Sequence, residues 1–369
     1  MTSQKITVSR VHRHVRAAAR HKRLLTGLLI LTAFYLMAIF GDFFAPYDYR
    51  TQSRLEPSAP PARIHFRDSQ GNFSLRPFVY ARRLADPLTR IYIEDDAQVY
   101  PLELFTRGYS YRLIGLVETD LHLFGTRSGD KDFFLTSQSA PRVNLLGTDA
   151  LGRDRLSRLI EAARFSLAVS PLSVLLASAL GILLGCIAGY GGRMIDRVIM
   201  RAADVMMALP TLIVILAARA AFPLELPPFR AGFLLVSIFV AVGWAEMARL
   251  VRGQVLALKS REFVLAAYSL GLRPSRILFR HILPNMRGPL IVQMTLMIPA
   301  FLLAETALSF LGVGLQEPEP GWGNMLTSAT DLALLESQPF ALLSPALAIL
   351  FFVLGVRLMS DGLKKVYGS

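Results

Sequence analysis

The stretch REFVLAAYSLGLRPSRILFRHILPN, residues 261–285, lies between two long apolar runs at about 231–251 and 288–308. Glu262–Leu270 reads as one helix, with the small pair Ala266-Ala267 allowing close helix approach. Gly271 can take the left-handed conformation that ends a helix. Pro274 suits the first turn of a second helix over Ser275–Ile282, before Pro284. Arg273 and six further basic residues sit in or beside this loop. A short, rigid, charged helix pair between two spans can act as a lever. The plainer alternative is a basic loop that binds lipid headgroups.

The apolar runs on either side extend along the whole chain. Of its 369 residues, 53% are hydrophobic, and the mean hydropathy is +0.43. That exceeds what a soluble domain of this size shows. Candidate spans fall at 24–44, 166–190, 204–222, 231–251, 288–308 and 341–360, each near the length that crosses a bilayer. The expected fold is an all-α polytopic membrane protein of about six transmembrane helices.

The net charge is +13 and the pI about 10.2. A basic pI can signal nucleic acid. Here the positives cluster at span ends, which is the mark of topology, so no nucleic-acid partner is expected. Arg193, Arg197 and Arg201 follow the second span, Arg252 to Arg287 follow the fourth, and Lys364 and Lys365 lie in the tail. The two short opposite loops, 223–230 and about 316–338, carry one Arg and none, while the long insert would translocate largely regardless of its arginines. Both termini are therefore expected in the cytoplasm. The basic start followed by the run from Leu24 reads as an uncleaved first span, because no small-x-small site follows it. The single cysteine, Cys186, excludes an intrachain disulfide.

These runs divide the chain into a basic cytoplasmic arm (1–23), a first transmembrane helix (24–44), an extracytoplasmic insert (45–146), an amphipathic surface helix (147–165) and a five-helix core (166–369) with its cytoplasmic loop at 253–287. The insert reads as small and β-rich. Arg63–Arg67 and Phe73–Leu75 alternate around the turn-like Asp68–Asn72, and Ile91–Ile93 and Tyr109–Val117 also read as strands. His65 and His122 lack companion ligands, so no metal site is expected.

Gly147-Thr-Asp-Ala-Leu-Gly-Arg-Asp154 precedes an apolar periodic run. Asp149, Arg153 and Asp154 there are structural or gating candidates, with plain helix capping as the alternative. Gly181, Gly185 and Gly189 make a face for close helix approach. Ionisable groups near spans are functional candidates: Asp204 with Pro210 a turn or two on, Glu246 and Arg249 in the fourth span, and Glu305 in the fifth. Structural ion pairs and caps are the alternative. Gly and Pro beyond Leu308 shape an outer segment in which Trp322 would anchor at headgroup level. No G-x-x-x-x-G-K-[ST] loop occurs, so ATP chemistry would belong to another subunit. No nucleophile and base converge, and no catalytic residue is expected.

Taken in order, these segments resemble the dipeptide/oligopeptide/nickel family of ABC-importer inner-membrane permeases, in particular its "C" type subunit. The resemblance rests on Ala45–Asp48, Gly147–Asp154 with Ser157-Arg158, Ala163–Leu167, Gly189–Gly192, Asp204 with Pro210, Trp244–Arg252, Glu262–Asn285, Glu305–Gly314, Trp322–Leu326 and Asp361–Leu363. It implies the type I (MetI-like) permease fold in a bacterial cytoplasmic (inner) membrane. It also implies a second homologous permease subunit, two ATPase subunits that use ATP and Mg, an extracytoplasmic substrate-binding protein, and membrane lipid as partners, with no cofactor on this chain. Loop 261–285 is similar to the family's "EAA" coupling loop, giving Glu262, Ala266, Ala267, Gly271, Arg273 and Pro284 a coupling role. Di- and oligopeptides are the implied substrates. Leu265 stands where the loop's Glu is usual, and residues 51–140 have no counterpart. An ATP-independent carrier, or a membrane-anchored sensor with an outer ligand domain, is the alternative reading.

Overall fold

The computed structural model describes residues 21–68, 71–86, 90–126 and 142–367. Most of the basic arm and the tip of the Asp68–Asn72 turn lie outside the described residues. The chain divides into two units, one of residues 1–32, 167–308 and 350–369, the other of 33–166 and 309–349.

The helices, in chain order, are α1 (Lys22–Ile39), α2 (Gly41–Phe44), α3 (Arg155–Tyr190), α4 (Gly192–Ala208), α5 (Thr211–Ala220), α6 (Pro228–Lys259), α7 (Glu262–Ser269), α8 (Pro274–Ile277), α9 (Arg287–Phe310), α10 (Trp322–Leu326), α11 (Leu332–Ser337) and α12 (Pro339–Tyr367). Among the described residues five helices are long and apolar enough to cross a membrane, or six crossings if the bent pair α4–α5 counts as one. This is a mostly helical membrane protein.

The span expected over 204–222 is broken at Pro210. α4 and α5 meet at a bend of 89°. Leu209 is extended (φ −87°, ψ 140°), as the residue before a proline prefers. Pro210 cannot donate into a continuing helix. α4 is amphipathic: Arg193, Arg197 and Arg201 repeat at helical spacing, while Met194, Val198 and Val205 are exposed apolar side chains. Residues 147–154 are loop, and the helix that follows runs unbroken from Arg155 to Tyr190, so no separate surface helix precedes the span.

Within the first unit, glycines decide the packing of α3 on α6. A Cβ on Gly181 would stand 2.6 Å from the Trp244 carbonyl oxygen, and one on Gly185 2.6 Å from that of Ala248. Only hydrogen fits there, so the backbones approach closely. α4 is tied to α6 by Arg252, whose guanidinium donates to Asp196 at 2.6 and 3.0 Å, and by the Arg249–Asp204 pair. Phe239 of α6 stacks on Phe301 of α9 with centroids 5.0 Å apart. α12 is linked to α9 by Thr295 Oγ1 donating to Ser360 Oγ at 2.9 Å, and Gly362 of α12 admits Leu24 of α1.

The second unit contains an antiparallel meander of β1 (His65–Arg67), β2 (Phe73–Asp86), β3 (Ile91–Leu113) and β4 (Val117–Thr126), in that spatial order. The two strands expected at Ile91–Ile93 and near Tyr109–Val117 are the ends of one long β3. Its first half pairs with β2 and its second with β4. His122 of β4 is buried, its Nδ1 2.8 Å from Asp42 O and 2.9 Å from Ala45 O, and its Nε2 3.0 Å from Tyr109 O. This ring fastens the sheet to α2.

Candidate functional site

Three places collect the candidate residues. The first is the loop between α6 and α9. Leu272 N–H donates to Ala267 O at 3.2 Å and Gly271 N–H to Tyr268 O at 2.9 Å. That bond pair is the Schellman ending of α7, and Gly271 supplies its left-handed residue at φ +74°. Arg273 is extended and precedes Pro274 at the first turn of α8. The second helix, expected over Ser275–Ile282, is α-helical only as far as Ile277. A π segment (Leu278–Ile282) and a 3-10 segment (Leu283–Met286) carry the chain into α9, with Pro284 in the 3-10 first turn. Such a position needs no N–H from proline.

The two faces of α7 differ. Val264 and Ala267 are buried, as is Ile277 of α8. Phe263, Leu265, Tyr268 and Leu270 are exposed, Leu270 by 80%. Ala267 thus seats the helix on its own protein, while Glu262 and Ala266 face outward. The exposed apolar residues were not singled out by sequence, although their places opposite Val264 and Ala267 follow from the helical period. Such a patch can meet either a partner or the membrane.

The second place is a cavity of about 550 Å³ among α4, α5, α6 and α9. Met206, Met207, Met297 and Phe301 line it, together with Glu246 and Gln293. Gln293 Nε2 donates to Glu246 Oε2 at 3.3 Å. Among the described residues Glu246 makes no ion pair, whereas Asp204 pairs with Arg249. Pro210 forms the corner between α4 and α5. Glu305 is fully buried in α9.

The third place is the start of α3. Gly152 has φ +71°, and a Cβ there would meet the Ser53 carbonyl, so the loop presses on the chain behind it. Asp149 accepts from Leu151 N and Arg153 N at 2.9 and 3.0 Å, and from Arg153 Nε at 2.6 Å. Glu317 binds Arg153 at 2.6 Å and Arg158 at 2.8 Å. Glu317, distant in sequence, completes a cluster with Asp149, Arg153 and Arg158, all of which lie in or beside the Gly147–Asp154 segment that sequence pointed to. Trp322 is not the expected interfacial anchor. It is fully buried, donating Nε1–H to Leu159 O at 3.2 Å, with its ring edge-on to Phe34. Its N–H is satisfied inside the protein, which removes the reason to face headgroups.

Asp154 caps α3: Oδ2 accepts from Ser157 N at 2.8 Å and Ser157 Oγ at 2.7 Å. Oδ1 is buried without a partner among the described residues. Burial pushes this carboxyl up to about 6, against the pull of the Ser157 hydrogen bonds and of Arg142. The folded value lies above the unfolded one, so the stabilisation is complete below about pH 4 and is lost as pH rises through about 6. It amounts to something on the order of 3 kcal/mol. Thermal melting of the solubilised protein should therefore show a stability decline across this window that Asp154→Asn lacks. An equal decline in the variant would assign it to another group.

Among the described residues no group of three or more His, Cys, Asp or Glu could hold a metal ion. Residues 181–367 match the family described as binding-protein-dependent transport system inner membrane component. Residues 9–61 match the N-terminal transmembrane domain of oligopeptide transport permease C. The oligopeptide transport system permease protein OppC of Bacillus subtilis is 29% identical over 344 residues, 93% of this chain and 84% of that protein. A putative peptide permease protein of Brucella suis is 35% identical over 242 residues, 65% of this chain and 78% of the relative. The dipeptide transport system permease protein DppC of Alkalihalophilus pseudofirmus is 39% identical over 218 residues, 59% and 69% of the two chains.

Proposed function

This chain belongs to the family of binding-protein-dependent transport system inner membrane components, and we propose that it forms half of the translocation path of an ATP-driven importer of di- and oligopeptides. It is the permease component and not the ATPase. The other half of the path is a second, homologous permease subunit. Two ATPase subunits bind ATP and Mg on the cytoplasmic side, and an extracytoplasmic binding protein delivers substrate. Both termini are cytoplasmic, in keeping with the placement of Lys and Arg.

The observation that carries this reading is the two-faced loop. Phe263, Leu265 and Leu270 offer an apolar surface to a partner, while Val264, Ala267 and Ile277 hold the loop on the permease. α8 continues through the π and 3-10 segments into α9 without a flexible linker. A displacement of α7 by the ATPase therefore reaches α9, which carries Gln293, Met297 and Phe301 of the 550 Å³ cavity. That cavity is one wall of the path, and its polarity is confined to Glu246, Gln293 and Thr211 among mostly apolar side chains. The substrate class follows the names of the relatives, all peptide permeases.

The test is reconstitution of the chain with its second permease, ATPase pair and binding protein in vesicles. Uptake of a labelled tripeptide should require ATP on the ATPase side and the binding protein on the other. Uptake that persists without ATP, or failure of any ATPase to associate, overturns the importer reading. ATP-dependent uptake of a different solute class overturns only the peptide assignment.

A further inference from the structure

A second cavity of the first unit, about 750 Å³, opens beside the coupling loop. Ile182, Leu183 and Ile187 of α3 face Leu278 and Leu283 across it. Its polar groups are gathered where α3 and α6 both end: the phenols of Tyr190 and Tyr268, and the ammonium of Lys259. Lys259 Nζ sits 5.0 Å from the centroid of the Tyr190 ring. Lys259 has no carboxylate partner among the described residues, and no Asp or Glu lines the groove. The Tyr190 hydroxyl is buried without a hydrogen-bond partner among the described residues. An unpaired cation and an unsatisfied hydroxyl at one end of an otherwise apolar groove ask for an anionic acceptor there and hydrocarbon beyond it.

We propose that this groove binds an anionic phospholipid, with one acyl chain between α3 and the Leu278–Leu283 wall and the phosphate on Lys259 and the two tyrosines. An extended protein segment fits worse, because its backbone polar groups would need partners along the whole apolar length. An acyl chain needs none. A zwitterionic headgroup fits worse too: Arg261 and Arg273 stand exposed on the same loop and repel a choline cation, whereas basic pockets at this membrane level attract anionic headgroups. The bound lipid spans α3, the end of α6 and Tyr268 of α7, so it braces the loop at its root. The inference rests on the groove alone and does not require the peptide assignment.

The test uses the full chain in vesicles of phosphatidylcholine with a trace of phosphatidylglycerol carrying a photoreactive diazirine on one acyl chain. Crosslinks are mapped by mass spectrometry. The expected labels fall on residues 182–190 and 278–283. They should drop about fivefold in Lys259→Gln, the change expected for one headgroup charge contact. They should persist in Lys259→Arg and in Arg276→Gln, which removes a loop charge outside the groove. The same diazirine on phosphatidylcholine should label these segments no more than the rest of the lipid-facing surface. Equal labelling by the two lipids, or indifference to Lys259→Gln, means ordinary boundary lipid and overturns the proposal. If Lys259→Gln fails to fold, competition of unlabelled phosphatidylglycerol against phosphatidylcholine on the wild type decides the same question: equal competition overturns it.

Discussion

Gly271→Pro should abolish ATPase docking while leaving the spans folded. Gly271 stands at φ +74°, and proline is locked near −65°. The substitution also deletes the N–H that donates to Tyr268 O at 2.9 Å. Both halves of the Schellman ending fail together, and α7 leaves α8 in a different direction. The penalty of about 3 kcal/mol or more translates into roughly a hundredfold loss of the docking-competent loop. No atom lies within 4 Å of a Cβ placed on Gly271, so space plays no part and backbone conformation alone sets the order of substitutions. Gly271→Ala should cost about 1–2 kcal/mol. Gly271→Asn should cost least, because asparagine tolerates the left-handed region. Co-purification with the ATPase pair, and ATPase activity of the assembled complex, should follow the order Gly, Asn, Ala, Pro. If the proline variant retains ATPase as the wild type does, the loop is not the docking element.

Much of this arrangement was legible before the fold was seen, for physical reasons. Span length and the placement of arginines reflect the bilayer rather than tertiary detail, so the runs containing α1, α3, α6, α9 and α12 could be read directly. The helix–Gly–helix order of the loop 261–285 was readable because Gly271 and Pro274 act locally. What failed was non-local. Pro210 was visible as a residue, but the apolar count of the run 204–222 did not show how sharply the chain turns there. The basic repeat at Arg193, Arg197 and Arg201 already marked α4 as two-faced. In the insert, the polar residues between Ile93 and Tyr109 broke the alternation and hid the continuity of β3. Trp322 looked interfacial because its partners, Leu159 O and Phe34, lie far away in sequence. Glu246 stood beside Arg249 on paper, yet it is Asp204 that Arg249 holds.

Glu317→Ala should be the most damaging single change in the second unit. Arg153 and Arg158 have side chains only 6% and 3% exposed, and both donate to this one carboxylate. Asp149 would remain as the single negative partner, close to Arg153 at 2.6 Å but 3.6 Å from Arg158. Breaking a buried pair by removing one partner strands a charge, at about 3–5 kcal/mol. Glu317 itself is half exposed, which places the expected loss near the lower figure, about 3 kcal/mol. The contrast is Glu319→Ala. Its partner Arg50 is 58% exposed, so that ion pair should contribute no more than about 1 kcal/mol. Replacing both Arg158 and Glu317, as Arg158→Met with Glu317→Ala, removes the stranded charge along with its partner. That double variant should recover part of the loss, which identifies desolvated charge rather than missing packing as its cause. Hydrogen exchange should report the effect locally: residues 147–158 and 311–326 lose protection in Glu317→Ala, and far less in Glu319→Ala. Equal loss in the two variants would mean that the buried arginines find water or another acceptor, and that the cluster at the start of α3 is not what fastens residues 311–326.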